Sequence, residues 1–93
     1  MALTSETKDR QRLDKWLFFA RIVKSREKAA SLIKDGYVRV NGVRADAPAK
    51  QIKQADVLTI ALEHKTLVLK VKSTGVRRGP ASEAVELYED ETL

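Results

Sequence analysis

Between residues 12 and 42 the apolar positions change their period twice. Leu13, Trp16, Leu17, Ala20 and Val23 recur at three- and four-residue spacing, the mark of a helix with one buried face. A polar break follows at Lys24-Ser25-Arg26, after which Ala29, Leu32 and Ile33 resume the helical spacing as far as Gly36. The period then falls to two. Val38 and Val40 alternate with Tyr37 and Arg39, and Asn41-Gly42 is the dipeptide most favoured in a two-residue hairpin turn. The stretch predicts helix, turn, helix, strand and tight turn.

Boundary residues sharpen these elements. Asp14 is the expected N-cap of the first helix, with Leu13 and Phe18 placed to form a hydrophobic staple across it. Ser25 is the expected N-cap of the second helix and Gly36 its C′ residue. Phe18, Phe19 and Ile22 fall outside the first helix's stripe and are expected to be covered by another element. Beyond the hairpin, Val43-Arg44-Ala45, residues 50–54, residues 57–62 and residues 66–72 read as short strands. In the last of these Leu67, Leu69 and Val71 point inward. Pro80 then opens a helix carrying Ala81, Ala84, Val85 and Tyr88 at helical spacing. Ala84, Val85 and Tyr88 are expected to cover the three exposed apolar residues of the first helix. The fold class is therefore α+β: two N-terminal helices packed on a small, mostly antiparallel sheet of four to five short strands, with a C-terminal helix.

With 93 residues the chain suffices for one small domain. Residues 1–11 carry no apolar period and are expected to form a flexible leader whose Lys8 and Arg10 can touch a phosphate backbone. Charge divides the remainder. Residues 1–78 hold all 18 lysines and arginines against eight acids, a net +10, whereas residues 79–93 hold five acids and no base. A body so basic attracts polyanions by counterion release. There is no cysteine, so disulfides and thiolate metal sites are excluded and a cytoplasmic location is expected. No apolar run reaches membrane-spanning length.

Catalytic chemistry finds no foothold. The single histidine, His64, falls in a turn without a second metal ligand near it. The serines have neither an adjacent base nor nucleophile-elbow glycines, and no phosphate-loop or dinucleotide fingerprint occurs. A binding protein without metal or cofactor is the expectation. Its best anion site is the start of the second helix, where Lys24, Arg26 and the N–H groups of residues 26–28 converge.

The ordered set Arg12-Leu13-Asp14, Ser25-Arg26, Ala29, Leu32-Ile33, Gly36 and Val38-Arg39-Val40-Asn41-Gly42 resembles the S4 RNA-binding domain. Asp14-Lys15-Trp16-Leu17, Ala20-Arg21, the tail Arg77-Arg78-Gly79-Pro80-Ala81-Ser82-Glu83-Ala84 and Leu87-Tyr88-Glu89 extend the resemblance. With them the chain is similar to the bacterial ribosome-associated heat-shock protein fifteen family over residues 12 to about 90. The resemblance implies an S4 domain over residues 12–76, followed by a basic link and an acidic C-terminal helix (residues 77–93) packed on the same domain. It also implies binding to structured ribosomal RNA on the large subunit, with transfer RNA a further partner, in the rescue or recycling of stalled nascent-chain complexes under heat stress. The RNA contacts it implies are Arg12, Lys15, Arg21, Lys24, Ser25, Arg26, Lys28, Arg39 and Asn41. Better-known members of the family continue into a long basic tail, whereas this sequence ends at Leu93.

Three other readings share parts of this pattern: an RNA-targeting module like those of pseudouridine synthases, a helix-turn-helix DNA-binding protein, and a protein-interaction domain. The second helix offers few base-reading side chains beyond Lys28, Ser31 and Lys34, which disfavours the DNA reading. Weak, non-specific DNA binding is nevertheless expected from the charge, and a monomer is expected in solution.

Overall fold

The helix, turn, helix and hairpin read from residues 12–42 are present in the computed structural model, which describes residues 10–93. The expected leader, Lys8 included, lies outside the described residues over positions 1–9. Its last two positions are structured. β1 (Arg10–Arg12) pairs antiparallel with β4 (Gln51–Lys53), aligning Arg10 with Lys53 and Arg12 with Gln51.

Helix α1 (Leu13–Phe19) starts one residue earlier than Asp14, and no side chain caps it. The expected N-cap role of Asp14 is thus overturned, for a physical reason. The helix's first free N–H groups are already satisfied by main-chain carbonyls: Leu13 N donates to Lys50 O at 2.8 Å and Asp14 N to Pro48 O at 3.1 Å. That frees the Asp14 carboxylate for other partners. Helix α2 (Arg26–Lys34) keeps its expected cap, since Ser25 Oγ accepts from Lys28 N at 3.1 Å. It ends in a paired Schellman arrangement, with Gly36 N donating to Ile33 O and Tyr37 N to Leu32 O. Gly36 sits at φ 87°, a conformation that a side chain would strain.

β2 (Val38–Val40) and β3 (Val43–Arg44) are joined by Asn41 and Gly42 at φ 52° and 83°, the geometry of a type I′ turn. With β5 (Val57–Ala61), β6 (Thr66–Val71) and β7 (Tyr88–Asp90) they form one antiparallel sheet in the order β3-β2-β5-β6-β7. Val38, Val40, Leu58, Ile60, Leu69 and Val71 cluster with Leu13, Trp16, Leu17, Ala29 and Ile33 in a single core, which Ile52 of β4 joins. The Trp16 indole N–H, buried with its ring, donates to Ser73 O at 2.8 Å.

The C-terminal helix is present but short. α3 (Ala81–Ala84) makes one turn, passes into a 3-10 turn at Val85–Leu87, and the chain finishes as a strand. Tyr88, Glu89 and Asp90 supply the main-chain partners that the outer edge of β6 would otherwise lack. Because of that switch, the expected cover of α1 is only partly realised. Ala84 is buried, but Val85 is 55% exposed and Leu87 is buried in its place. Tyr88 meets Trp16 edge to face at 6.2 Å rather than the phenylalanines. Phe19 and Leu87 flank Gly75, while Phe18 lies under the Arg78 guanidinium, 4.6 Å from the ring centre.

Arg78 also ends α1. Its Nε donates to Phe18 O at 3.1 Å and its terminal nitrogen to Val23 O at 3.4 Å. In the other direction Arg21, at φ 60°, donates to Gly79 O at 2.7 Å. Two arginines thus staple the 77–79 link across the end of α1. Replacing Arg78 with Met removes both carbonyl contacts and the cation–π contact, and is expected to cost about 1–3 kcal/mol of stability. Thermal or urea unfolding checks this, and an unchanged midpoint contradicts it.

Candidate nucleic-acid interface

The geometry around Asp14 sets the cations. Asp14 is only 4% exposed, and an unpaired carboxylate could not stay charged there. Arg12, at the end of β1, donates Nε to Oδ1 at 3.0 Å and its terminal nitrogen to Oδ2 at 2.9 Å. Arg26, the first residue of α2, approaches Oδ2 at 3.4 Å, and Lys15 N donates to Oδ1 at 2.7 Å. Burial alone pushes the Asp14 carboxyl up. The hydrogen bond from Arg12, the Lys15 N–H, the Arg12 charge and the Arg26 contact together outweigh it, and the group sits below its ordinary value. The two guanidiniums remain nearly half exposed at 44% and 46%. Each is held on its inner side and open on its outer side, as a phosphate-binding arginine should be.

Lys15 follows Asp14 in α1, and Lys24 and Lys28 stand two residues to either side of Arg26 in the sequence; Lys15 is half-buried and the other two are exposed. The anion cradle expected from three helix N–H groups is reduced by one, because Ser25 occupies the Lys28 N–H. Ser25 therefore serves as a cap, and its oxygen is committed there.

The remaining predicted contacts are dispersed. Arg21 is exposed but anchored to Gly79 O. Arg39 leaves the sheet on the face opposite the buried Val38 and Val40, aligned with Arg44 across the hairpin and with Thr59 on β5. It does not join the arginines at the helix junction. Asn41 locks the turn in place. Its Nδ2 donates to Asp56 Oδ1 at 3.0 Å, and its Oδ1 accepts from Val57 N at 2.9 Å. Both ends of its amide are committed, which argues against a direct RNA contact by this side chain.

Asp56 repeats the device of Asp14. It is 6% exposed and accepts from Lys53 N at 2.9 Å, from Lys53 Nζ at 3.1 Å and from Asn41. Burial pushes its carboxyl up, but the Lys53 N–H, the Asn41 amide and the Lys53 ammonium bring it below its ordinary value.

A profile of the S4 domain family matches residues 11–58, which is 48 of the 93 residues. The chain belongs to the S4 domain family. It is 40% identical over 79 residues to heat shock protein 15 of Escherichia coli strain K12, an alignment covering 85% of this chain and 59% of that protein. It therefore spans about three fifths of the length of that curated relative. To the RQC P-site tRNA stabilizing factor of Listeria innocua it is 32% identical over 77 residues, covering 83% of this chain and 82% of that one. The solved structure of Vibrio cholerae heat shock protein 15, described as trimeric, matches with a TM-score of 0.82 at 33% identity. That match covers 87% of this chain and 81% of the other.

The sequence assigned no role to Lys50 or Lys53, and Arg10 was expected only as a leader residue able to touch a phosphate backbone. All three line a cleft of about 530 Å³ between the hairpin and the β1–β4 ribbon. The signal was hidden because β1 and β4 lie about forty residues apart and each is three residues long.

Asp14→Asn removes the charge but keeps the shape, and should cost about 1–3 kcal/mol at neutral pH. Since the folded carboxyl lies below its unfolded value of about 3.9, its contribution is complete above that value. It is lost as the pH falls through the folded value. The stability gap between parent and variant, read from urea unfolding, should therefore shrink as the pH drops below about 4. A gap that stays constant with pH contradicts this assignment.

Proposed function

We propose that this S4 domain chain is a non-catalytic RNA-binding protein that acts on the ribosome, in the rescue of stalled translation. The observation that carries the reading is the pair Arg12 and Arg26, clamped to one buried carboxylate with their outer faces open. Lys15, Lys24 and Lys28 add charge close to them in the sequence. Likeness to a P-site tRNA stabilizing factor over most of both chains supports ribosome rescue as the setting. Large-subunit ribosomal RNA and transfer RNA are the partners this reading favours, in the cytoplasm. Likeness to heat shock protein 15 supports a role under heat stress.

The shape favours folded RNA. The open cations come from separate segments: Arg12 from β1, Lys24 and Arg26 from the start of α2, and Arg39 from β2. Such a set suits phosphates that an RNA tertiary fold gathers together, rather than the regular phosphate rows of duplex DNA. Among the described residues, no broad aromatic platform for an extended single strand accompanies them. Phe18 is covered by Arg78, and Trp16 is buried.

Competition binding at physiological salt tests the proposal, because the non-specific charge term is suppressed there. Large ribosomal subunits or a structured ribosomal RNA fragment should out-compete duplex DNA by at least about tenfold, or about 1.4 kcal/mol. Equal competition by the two would reduce the chain to a general polyanion binder.

A further inference from the structure

The cleft between the β2–β3 hairpin and the β1–β4 ribbon has no part in the reading above, yet its charge requires an explanation. The β1–β4 register sets Arg10 directly across from Lys53. Like charges opposed across a ladder are destabilising, and among the described residues only Lys53 of the two has an acid partner, Asp56, at 3.1 Å. Lys50 and Arg44 add two more cations to the walls, against Asp46 and Asp56. Asp56 is buried and tied to Lys53 and Asn41, and the Arg44 terminal nitrogen donates to Lys34 O at 3.0 Å. Among the described residues Arg10 and Lys50, both exposed, are the cations of the cleft with neither an acid partner nor a carbonyl to donate to, and they outnumber the one exposed lining acid, Asp46.

We propose that this cleft is a second phosphate-binding site, which holds the sugar–phosphate backbone of an RNA strand and is separate from the Arg12–Asp14–Arg26 site. The proposal rests on the RNA-binding reading above and extends it. A volume of about 530 Å³ is ample for a nucleotide unit. Among the described residues the lining contains no aromatic ring, so it offers no stacking platform for a base, and its recognition falls on phosphate and sugar. Its walls are rigid on the hairpin side, where Asn41 and Asp56 lock the turn to the start of β5. The two sites also adjoin. Arg10 and Arg12 lie two residues apart on the same exposed face of β1, about 7 Å along the strand. A single RNA backbone running along β1 can therefore pass from one site to the other.

The test uses the full chain and a structured ribosomal RNA fragment, with affinity measured across a salt series. The double variant Arg10→Gln, Lys50→Gln should bind more weakly, by about tenfold at physiological salt. Its plot of log affinity against log salt should be flatter by about 1.4–1.8, the loss of two phosphate contacts. A control double variant, Lys65→Gln and Lys72→Gln, removes the same charge elsewhere and should leave the slope within about 0.5 of the parent's. Unchanged affinity and slope in the Arg10/Lys50 variant, with the parent binding RNA, overturns this site while leaving the RNA-binding reading standing. Failure of the parent itself to bind RNA overturns that reading and this one with it. Amide shifts of residues 41–53 on titration with the RNA fragment, and separately with inorganic phosphate, distinguish the two sources of phosphate. Shifts produced by free phosphate at micromolar concentration, with none from RNA, would give the cleft to a small anion and overturn the RNA assignment.

Discussion

Burying a carboxylate is costly unless opposite charge and hydrogen bonds offset the lost water. Asp14 is kept charged by Arg12 from β1, by a main-chain N–H of α1 and by the first side chain of α2, so one group joins three elements. The same interactions point two guanidiniums outward in fixed positions. Arginine loses considerable side-chain freedom when it binds a phosphate. Holding it beforehand lowers that cost and strengthens binding without adding a contact. Asp56, just before β5, is held in the same way, by Lys53 of β4 and by Asn41 of the hairpin turn. Two buried acids thus serve a basic surface by fixing its shape.

The division of charge along the sequence becomes a division in space. The sheet order places β3 and the hairpin at one edge and β7, which carries Glu89 and Asp90, at the other. Glu89 lies across from Lys70, and Glu91 N donates to Val68 O just beyond. The acids of the β7 edge, partly offset by Lys70 and Lys65, thus lie at the opposite edge of the sheet from Arg39 and Arg44 of the hairpin. Charge divided in this way orients an encounter before any contact forms.

How much of this was legible in the sequence depended on the range of the interactions. The second helix, the Ser25 cap, the Gly36 stop and the Asn41-Gly42 turn are local devices, and each stands where the residues put it, whereas the first helix stops at Phe19, short of Ala20 and Val23 in its expected stripe. Asp14 was legible as important but not in its role, since an acid at the start of a helix looks alike as a cap or as a buried ion-pair centre. Only the carbonyls of Pro48 and Lys50, which satisfy the helix start, decide between them. The three-residue strands β1 and β7 exist because distant edges needed partners, and no local pattern announces that. For the same reason Leu87 is buried where Val85 was expected, and Arg21 and Arg78 proved to be staples.

Under the proposed function Asp14 supports RNA binding by holding Arg12 and Arg26, without itself touching RNA. A double-mutant cycle of Asp14→Asn and Arg26→Gln on affinity for a structured ribosomal RNA fragment, at a temperature where all four proteins are folded, tests it most directly. Each change alone is expected to weaken binding, and the double variant to lose less than the two losses summed, by about 1 kcal/mol, with the loss that Asp14→Asn still adds coming through Arg12. Effects that add to within about 0.5 kcal/mol would show that Asp14 and Arg26 act independently, and would contradict it.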